Sequence, residues 1–299
     1  NQHPAIATVG HTMGWSFKDP DEFRCSCGER IADCPLFRHV AQAYRQNGLN
    51  FRPDNFGNAF CVCDNSALNY YHTDALPKVS TNWLELRRDN LVGSIPAYKR
   101  RLQHQMLANR VFVEAVLDYW NASCFLDNSH SPYRLRRLAQ EDSFDVFNLH
   151  LIRDPRGVVL SLMRNRGFSI EEATRAWLRR QEQILRICNT VTTTLRIHYE
   201  DLCICPGRIL TDIHDFIGVD KHEFTGNFKD SEHHILGNRM RLSNGAIRLD
   251  EKWRRGLNEQ SRAFVEAQLQ KALQRNRRSA MADIIEYYLA EKYQSAGVQ

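Results

Sequence analysis

The chain has 299 residues, 42% of them hydrophobic and 25% charged. These are globular proportions, which exclude disorder and collagen-like repetition. A net charge of +5 is too mild to argue for nucleic acid, and no stretch approaches the roughly 18 apolar residues of a membrane-spanning helix.

The chain opens Asn1-Gln-His-Pro4. No basic stretch followed by an apolar one marks a signal peptide, and the segment reads as the end of a helix stopped by Pro4. Residues 10–98 mix short apolar pieces with Asn, Asp, Gly and the aromatics Trp15, Tyr70, Tyr71 and Trp83, which predicts an irregular helical and loop cap. The region also carries Cys25-Ser-Cys27, Cys34, Cys61 and Cys63 out of nine cysteines. An odd number in a chain too large to need staples reads as reduced and cytoplasmic. The spacing is not a paired Cys-x-x-Cys and no histidine lies nearby in sequence. Packing cysteines are therefore the favoured reading, with structural zinc the alternative.

From Ala97 to Tyr119 the apolar residues recur at helical spacing. Cys124-Phe-Leu126 is a predicted strand ending in Asp127-Asn-Ser-His130, and Tyr133–Gln140 a helix. Val146–Ile152 predicts a second strand; Asp154 as N-cap and Pro155 start the next helix. Ile170–Cys188 is helical, Leu195–Tyr199 a third strand, and Pro206 starts a helix closed by Gly218. Two amphipathic helices follow between Asn258 and Tyr293. Strands alternating with helices imply an α/β fold with a parallel sheet flanked by helices. The expected organisation is one domain: a cap over 1–98, an α/β core over 99–257 and C-terminal helices over 258–299.

In such folds ligands bind beyond the carboxyl ends of the strands. Asp127–His130, Arg153–Ser161 and Tyr199–Asp201 fall there. Arginine supplies 32 of the 40 basic residues, a side chain suited to bidentate contacts with oxyanions. Arg153 leaves a strand end, and the helix after it aims its N-terminal N–H groups at the same space. Gly157 and Ser161 are one turn apart on one helix face, the first allowing close approach of an anion and the second offering a hydroxyl. Together they suit a phosphate. The alternative is an Arg153–Asp154 surface pair with Ser161 as filler.

Leu-Ile-Arg153-Asp-Pro-Arg-Gly-Val-Val-Leu-Ser161-Leu-Met-Arg164 resembles the 3′-phosphate-binding segment of the sulfotransferases that use 3′-phosphoadenosine 5′-phosphosulfate (PAPS), most of all the bacterial and carbohydrate-type members. Arg196-Ile-His-Tyr199-Glu-Asp-Leu202 with its Pro-started helix is similar to the family's strand–YEDL–helix unit. His234-Ile-Leu-Gly237-Asn-Arg-Met-Arg241, with Ile247, Leu249, Asp250 and Trp253, resembles its C-terminal loop. Phe125-Leu-Asp127-Asn-Ser-His130 resembles a strand end that often reads Asp-Ser-Ser-Lys. The match spans residues 110–257 in order. It implies a P-loop-like α/β fold in which Arg153 and Ser161 grip the 3′-phosphate with Gly157 beside them. Tyr199 would lie near the adenine, and Gly237, Asn238 and Arg241 would close over the nucleotide. It also implies PAPS as co-substrate, no required metal, and a carbohydrate or small-molecule acceptor bearing a hydroxyl or amine. Family members occur as monomers and dimers.

The family's Gly/Arg/Ser/Thr loop for the 5′-phosphosulfate, between the first strand and first helix, finds no match, and neither does the Walker pattern. The expectation is that the first strand and this loop are missing, that the chain is N-terminally truncated, and that the fragment is inactive. His130 is the candidate base and Asp127 the second candidate. His130 stands where the family often has Lys, so replacement of that cation is its other role. Two other readings stand: a P-loop-like kinase, with Asp127 holding magnesium, and a non-catalytic protein that keeps the fold.

Overall fold

The computed structural model describes residues 3–12, 24–53, 56, 58, 94–191, 193–223, 233–234 and 247–291. The chain divides into two compact units, residues 1–145 with 225–245 and residues 146–224 with 246–299. The division lies between Asp145 and Val146. Among the described residues each unit holds one two-stranded parallel sheet, so the architecture is α/β. Among the described residues the strands form these two pairs rather than the one continuous sheet expected from the sequence. No described helix is long and apolar enough to cross a membrane.

In the first unit, β1 (Ile6–Ala7) pairs in parallel with β2 (Cys124–Phe125). Residues 6–7 are thus a strand where the sequence reading expected the end of a helix. The run Ala5-Ile-Ala-Thr-Val9 is buried along most of its length, with Ala7, Thr8 and Val9 inside and Ile6 partly exposed. Helix α1 (Pro35–Gln46) and helix α2 (Pro96–Trp120) pack on each other. Leu36, Phe37, Val40 and Tyr44 form the buried stripe of α1; Ala108, Val111, Phe112 and Ala115 form that of α2, as helical spacing requires. Phe56 lies between them, its ring 5.6 Å from Phe37 and 5.5 Å from Phe112. The expected cap thus contributes core rather than covering it. Helix α3 (Pro132–Leu138) follows β2, with the Ser131 hydroxyl capping it through the Arg134 N–H.

The second unit starts with β3 (Asn148–Ile152), followed by α4 (Pro155–Arg166), α5 (Ile170–Val191) and β4 (Thr194–His198). β3 and β4 are parallel, with Asn148 opposite Thr194 and Ile152 opposite His198. The two intervening helices are the crossover that a parallel pair needs. A capping box starts α5: the Ser169 N–H meets Glu172 Oε2 at 2.9 Å and the Glu172 N–H meets Ser169 Oγ at 3.2 Å. Then come α6 (Tyr199–Ile204), α7 (Pro206–Ile217), α8 (Trp253–Gly256), α9 (Glu259–Arg275) and α10 (Ala280–Leu289). The core joins Ile152, Val159, Trp177, Leu269, Ile284 and Ile285 from β3, α4, α5, α9 and α10. Each such side chain is worth about 1.5–3 kcal/mol on burial.

His150, on the inward face of β3, sets its Nε2 2.9 Å from Gln181 Oε1. Burial pulls its imidazole down from 6.5 to about 4. The folded state therefore holds it neutral where the unfolded state protonates it. Its contribution to stability is present above 6.5 and lost as pH falls toward about 4. Urea unfolding of wild type and His150→Gln across that window should show the wild type losing stability more steeply on acidification.

Candidate functional site

β3 delivers the chain to Arg153-Asp154-Pro155, where α4 begins. Asp154 is the N-cap, its carboxylate accepting from the Arg156 N–H at 2.8 Å. The Arg156 guanidinium folds back on that carboxylate, with Nη2 2.7 Å from Asp154 Oδ2. It also reaches Glu291 at 2.8 Å and Glu266 at 3.1 Å, and lies over the Trp253 ring at 4.0 Å. Glu200 Oε1 accepts from the Asp154 N–H at 2.9 Å. Its other oxygen lies 3.1 Å from the Tyr288 hydroxyl, which is 2.9 Å from the Ile152 carbonyl. Burial pushes the Glu200 carboxyl above its usual range.

One amide of the α4 tip, the Arg156 N–H, is spent on the cap, as the N-cap reading of Asp154 expected. The surface pair Arg153–Asp154, the other reading of this segment, does not form, because Asp154 belongs to Arg156.

Arg153 is engaged differently. Its Nη2 lies 3.0 Å from Asp250 Oδ2 and 3.3 Å from the Asp250 carbonyl, and its guanidinium carbon lies 5.0 Å from the Tyr199 ring centroid. The side chain is 30% exposed. A Cβ on Gly157 would stand 3.3 Å from Arg153 Nε and 3.5 Å from Trp253 Cδ1. What Gly157 admits is thus the guanidinium of Arg153, rather than an anion directly. Among the described residues, Nη2 carries the polar contacts of this guanidinium, so its Nε and Nη1 edges can still donate. Burial alone would raise the Asp250 carboxyl, but the Lys252 N–H and Arg153 outweigh it and hold it below its usual range.

Tyr199 opens α6 rather than ending a strand. Its hydroxyl donates to the Arg248 carbonyl at 3.1 Å, and burial lifts it to about 12. Ser161 is exposed on α4 and accepts from Asn165 Nδ2 at 3.1 Å, so its O–H keeps its donor capacity. The structure therefore brings Arg153, Gly157 and Tyr199 together. Among the described residues no hydrogen bond joins Ser161 to them. Gly237, Asn238 and Arg241 lie outside the described residues.

In the first unit the loops after the parallel strands β1 and β2 interlock. Thr12 N–H donates to Ser129 Oγ at 3.1 Å, and the Thr12 hydroxyl lies 3.2 Å from Asp127 Oδ2. Arg134 Nε sits 2.6 Å from Asp127 Oδ2. Burial would raise the Asp127 carboxyl, but Arg134 and the Ser129 bonds outweigh it and hold it below its usual range. A carboxylate so engaged by Arg134, Ser129 and Thr12 anchors the two loops. His130 is exposed at φ 54°, its ring 6.5 Å from that of His11. Burial lowers the His11 imidazole below its usual range, so it is neutral near pH 7. His11 and Thr12 were missed from sequence. The signal was present in the apolar run Ala5–Val9 leading into Gly10-His-Thr-Met-Gly14.

No protein-family model matches the chain, and no curated protein matches it. Among solved structures it is similar to the sulfotransferase domain from the curacin biosynthetic pathway. The identity is 14% and the TM-score 0.39, over 90% of this chain and 99% of that one.

Removing the anchor and crowding the exposed arginine should have unequal effects. Asp154→Ala leaves Arg156 short of its main partner and should cost about 3–5 kcal/mol. Gly157→Ala asks only that a partly exposed guanidinium shift, and should cost less than about 1 kcal/mol. Urea unfolding measures both; equal losses would contradict this division of labour.

Proposed function

We propose that the chain is a sulfotransferase that moves a sulfuryl group from PAPS to a hydroxyl or amine of a carbohydrate or small-molecule acceptor. The observation that carries this reading is Arg153. It leaves the carboxyl end of β3 partly exposed, beside Tyr199, Gly157 and the segment holding Asp250 and Trp253. Each of those positions belongs to a segment whose sequence resembles the family. An arginine held by neighbours loses less side-chain freedom on binding, which favours tight capture of a dianion.

In this reading Arg153 binds the 3′-phosphate with Ser161 as a further donor, and Tyr199 lies toward the adenine. Gly237, Asn238 and Arg241 retain the closing role that the resemblance gives them. The acceptor oxygen attacks sulfur in line, and the bond from sulfur to the phosphate oxygen breaks. 3′-Phosphoadenosine 5′-phosphate leaves. The acceptor's proton passes to a base, and with Asp127 tied to Arg134 that base is His130. Positioning and charge neutralisation supply most of the rate, as in phosphoryl transfer.

Calorimetry with 3′-phosphoadenosine 5′-phosphate tests the reading. Losing one charge-assisted contact is worth about 1.5–3 kcal/mol, so Arg153→Ala should bind roughly 10- to 150-fold more weakly. Its affinity for adenosine 5′-phosphate, which lacks the 3′-phosphate, should stay close to wild type. Equal affinities of wild type and variant for the bisphosphate would end the assignment. His130→Ala should lower the rate of transfer about 10²- to 10⁴-fold while leaving bisphosphate affinity in place.

A further inference from the structure

Three cysteines and a histidine from separate stretches of the first unit meet at one point. Cys25 and Cys27 sit on a short hairpin whose arms pair at Arg24 and Arg30. Gly28 turns it at φ 92°, its N–H donating to the Cys25 carbonyl at 2.9 Å. That left-handed conformation favours glycine and folds both thiols toward one side. Cys34 follows as the N-cap residue of α1, its own N–H donating to the Arg30 carbonyl at 2.9 Å. His233, 199 residues beyond Cys34, completes the group. Its segment is stitched to the hairpin by two bonds: Ser26 N–H to the His234 carbonyl at 3.0 Å, and His234 N–H to Ser26 Oγ at 2.8 Å.

The distances are those of a coordination shell. His233 Nδ1 lies 3.1 Å from Cys34 Sγ and 3.6 Å from Cys25 Sγ, and Cys27 Sγ lies 3.8 Å from Cys34 Sγ. All four ligand atoms fall within 4.8 Å of one another. A tetrahedral zinc ion with Zn–S of about 2.3 Å and Zn–N of about 2.0 Å has edges of about 3.5–3.8 Å.

We propose that Cys25, Cys27, Cys34 and His233 form a structural zinc site. Four protein ligands fill the tetrahedron and leave no open position for substrate, which makes the site structural rather than catalytic. A disulfide does not account for the group. The 3.8 Å between Cys27 and Cys34 far exceeds an S–S bond of about 2.05 Å, and any pairing strands a third thiol beside an imidazole. Core packing does not account for it either, because Cys27 is exposed. Cys34 at the N-terminal end of α1 stands where the helix dipole favours a thiolate. The Tyr119 and Trp120 rings flank His233 at 5.8 and 5.7 Å and fix its orientation. Binding releases the thiol protons to solvent and moves no electrons. Zinc so held ties the hairpin, the start of α1 and the 233–234 segment into one cross-link, converting a weak long-range contact into a strong one.

The test uses the full chain, expressed with zinc and purified under reducing conditions. Elemental analysis should give about one zinc per chain. Cobalt substituted for zinc should show the intense visible absorption of a tetrahedral thiolate complex. Cys27→Ser, which alters an exposed side chain, and His233→Ala should each bind zinc at least about tenfold more weakly in competition with a chelator. Cys203→Ser, outside the cluster, should retain it. A zinc-free wild type, an octahedral cobalt spectrum, or undiminished zinc in both ligand variants would overturn the proposal. None of these readouts depends on transfer activity, so the site stands or falls apart from the proposed reaction.

Discussion

The buried pair of Asp154 and Arg156 is the constraint on which the candidate site in the second unit depends. Arg156 is 4% exposed and Asp154 1%, a placement that is expensive for either charge alone. Both are fully engaged: Asp154 by the guanidinium and the first turn of α4, Arg156 also by Glu266, Glu291 and the Trp253 face. The junction between β3 and α4 is thereby fixed, and with it the exit direction of Arg153. Two arginines three residues apart thus divide the work, one spent on the fold and one left partly in solvent. Buried Glu200 and Tyr288 extend the same network to the start of α6 and to α10, which sets where Tyr199 stands relative to Arg153.

Much of this was legible in the sequence because it is local. Asp154-Pro155 announces a capped helix, Gly218 closes α7, and apolar spacing places α2 within a residue and α5 to within three. What resisted reading is what depends on distant partners. Asp250 meets Arg153 from 97 residues away, and Glu266 and Glu291 meet Arg156 from further still. Nothing in Arg153-Asp-Pro-Arg156 says which arginine takes the aspartate; burial decides it. β1 escaped because the apolar run Ala5–Val9 is short and stands right after Pro4, which was read as stopping a helix. Its partner β2 is equally short, and only the parallel pairing makes either one a strand.

The cysteine cluster shows the same limit in sharper form. Cys25-Ser-Cys27 and Cys34 are visible in sequence, but a tetrahedral shell is incomplete without its fourth ligand, and that ligand is supplied 199 residues later. The first unit thus closes around contacts that join the two ends of a long excursion of chain. Its aromatic core around Phe56 supplies the apolar part. The strand-end anchor of Asp127, Thr12, Ser129 and Arg134 supplies the polar part and holds the loop that carries His130.

The central claim is that Arg153 is a phosphate ligand rather than a structural partner of Asp250. A crystal structure of the full chain with 3′-phosphoadenosine 5′-phosphate reads this directly. The account predicts the 3′-phosphate oxygens within hydrogen-bond distance of the Arg153 guanidinium and of Ser161 Oγ, with the adenine toward Tyr199. A bound nucleotide whose 3′-phosphate lies elsewhere, with Arg153 still closed on Asp250 alone, would contradict it.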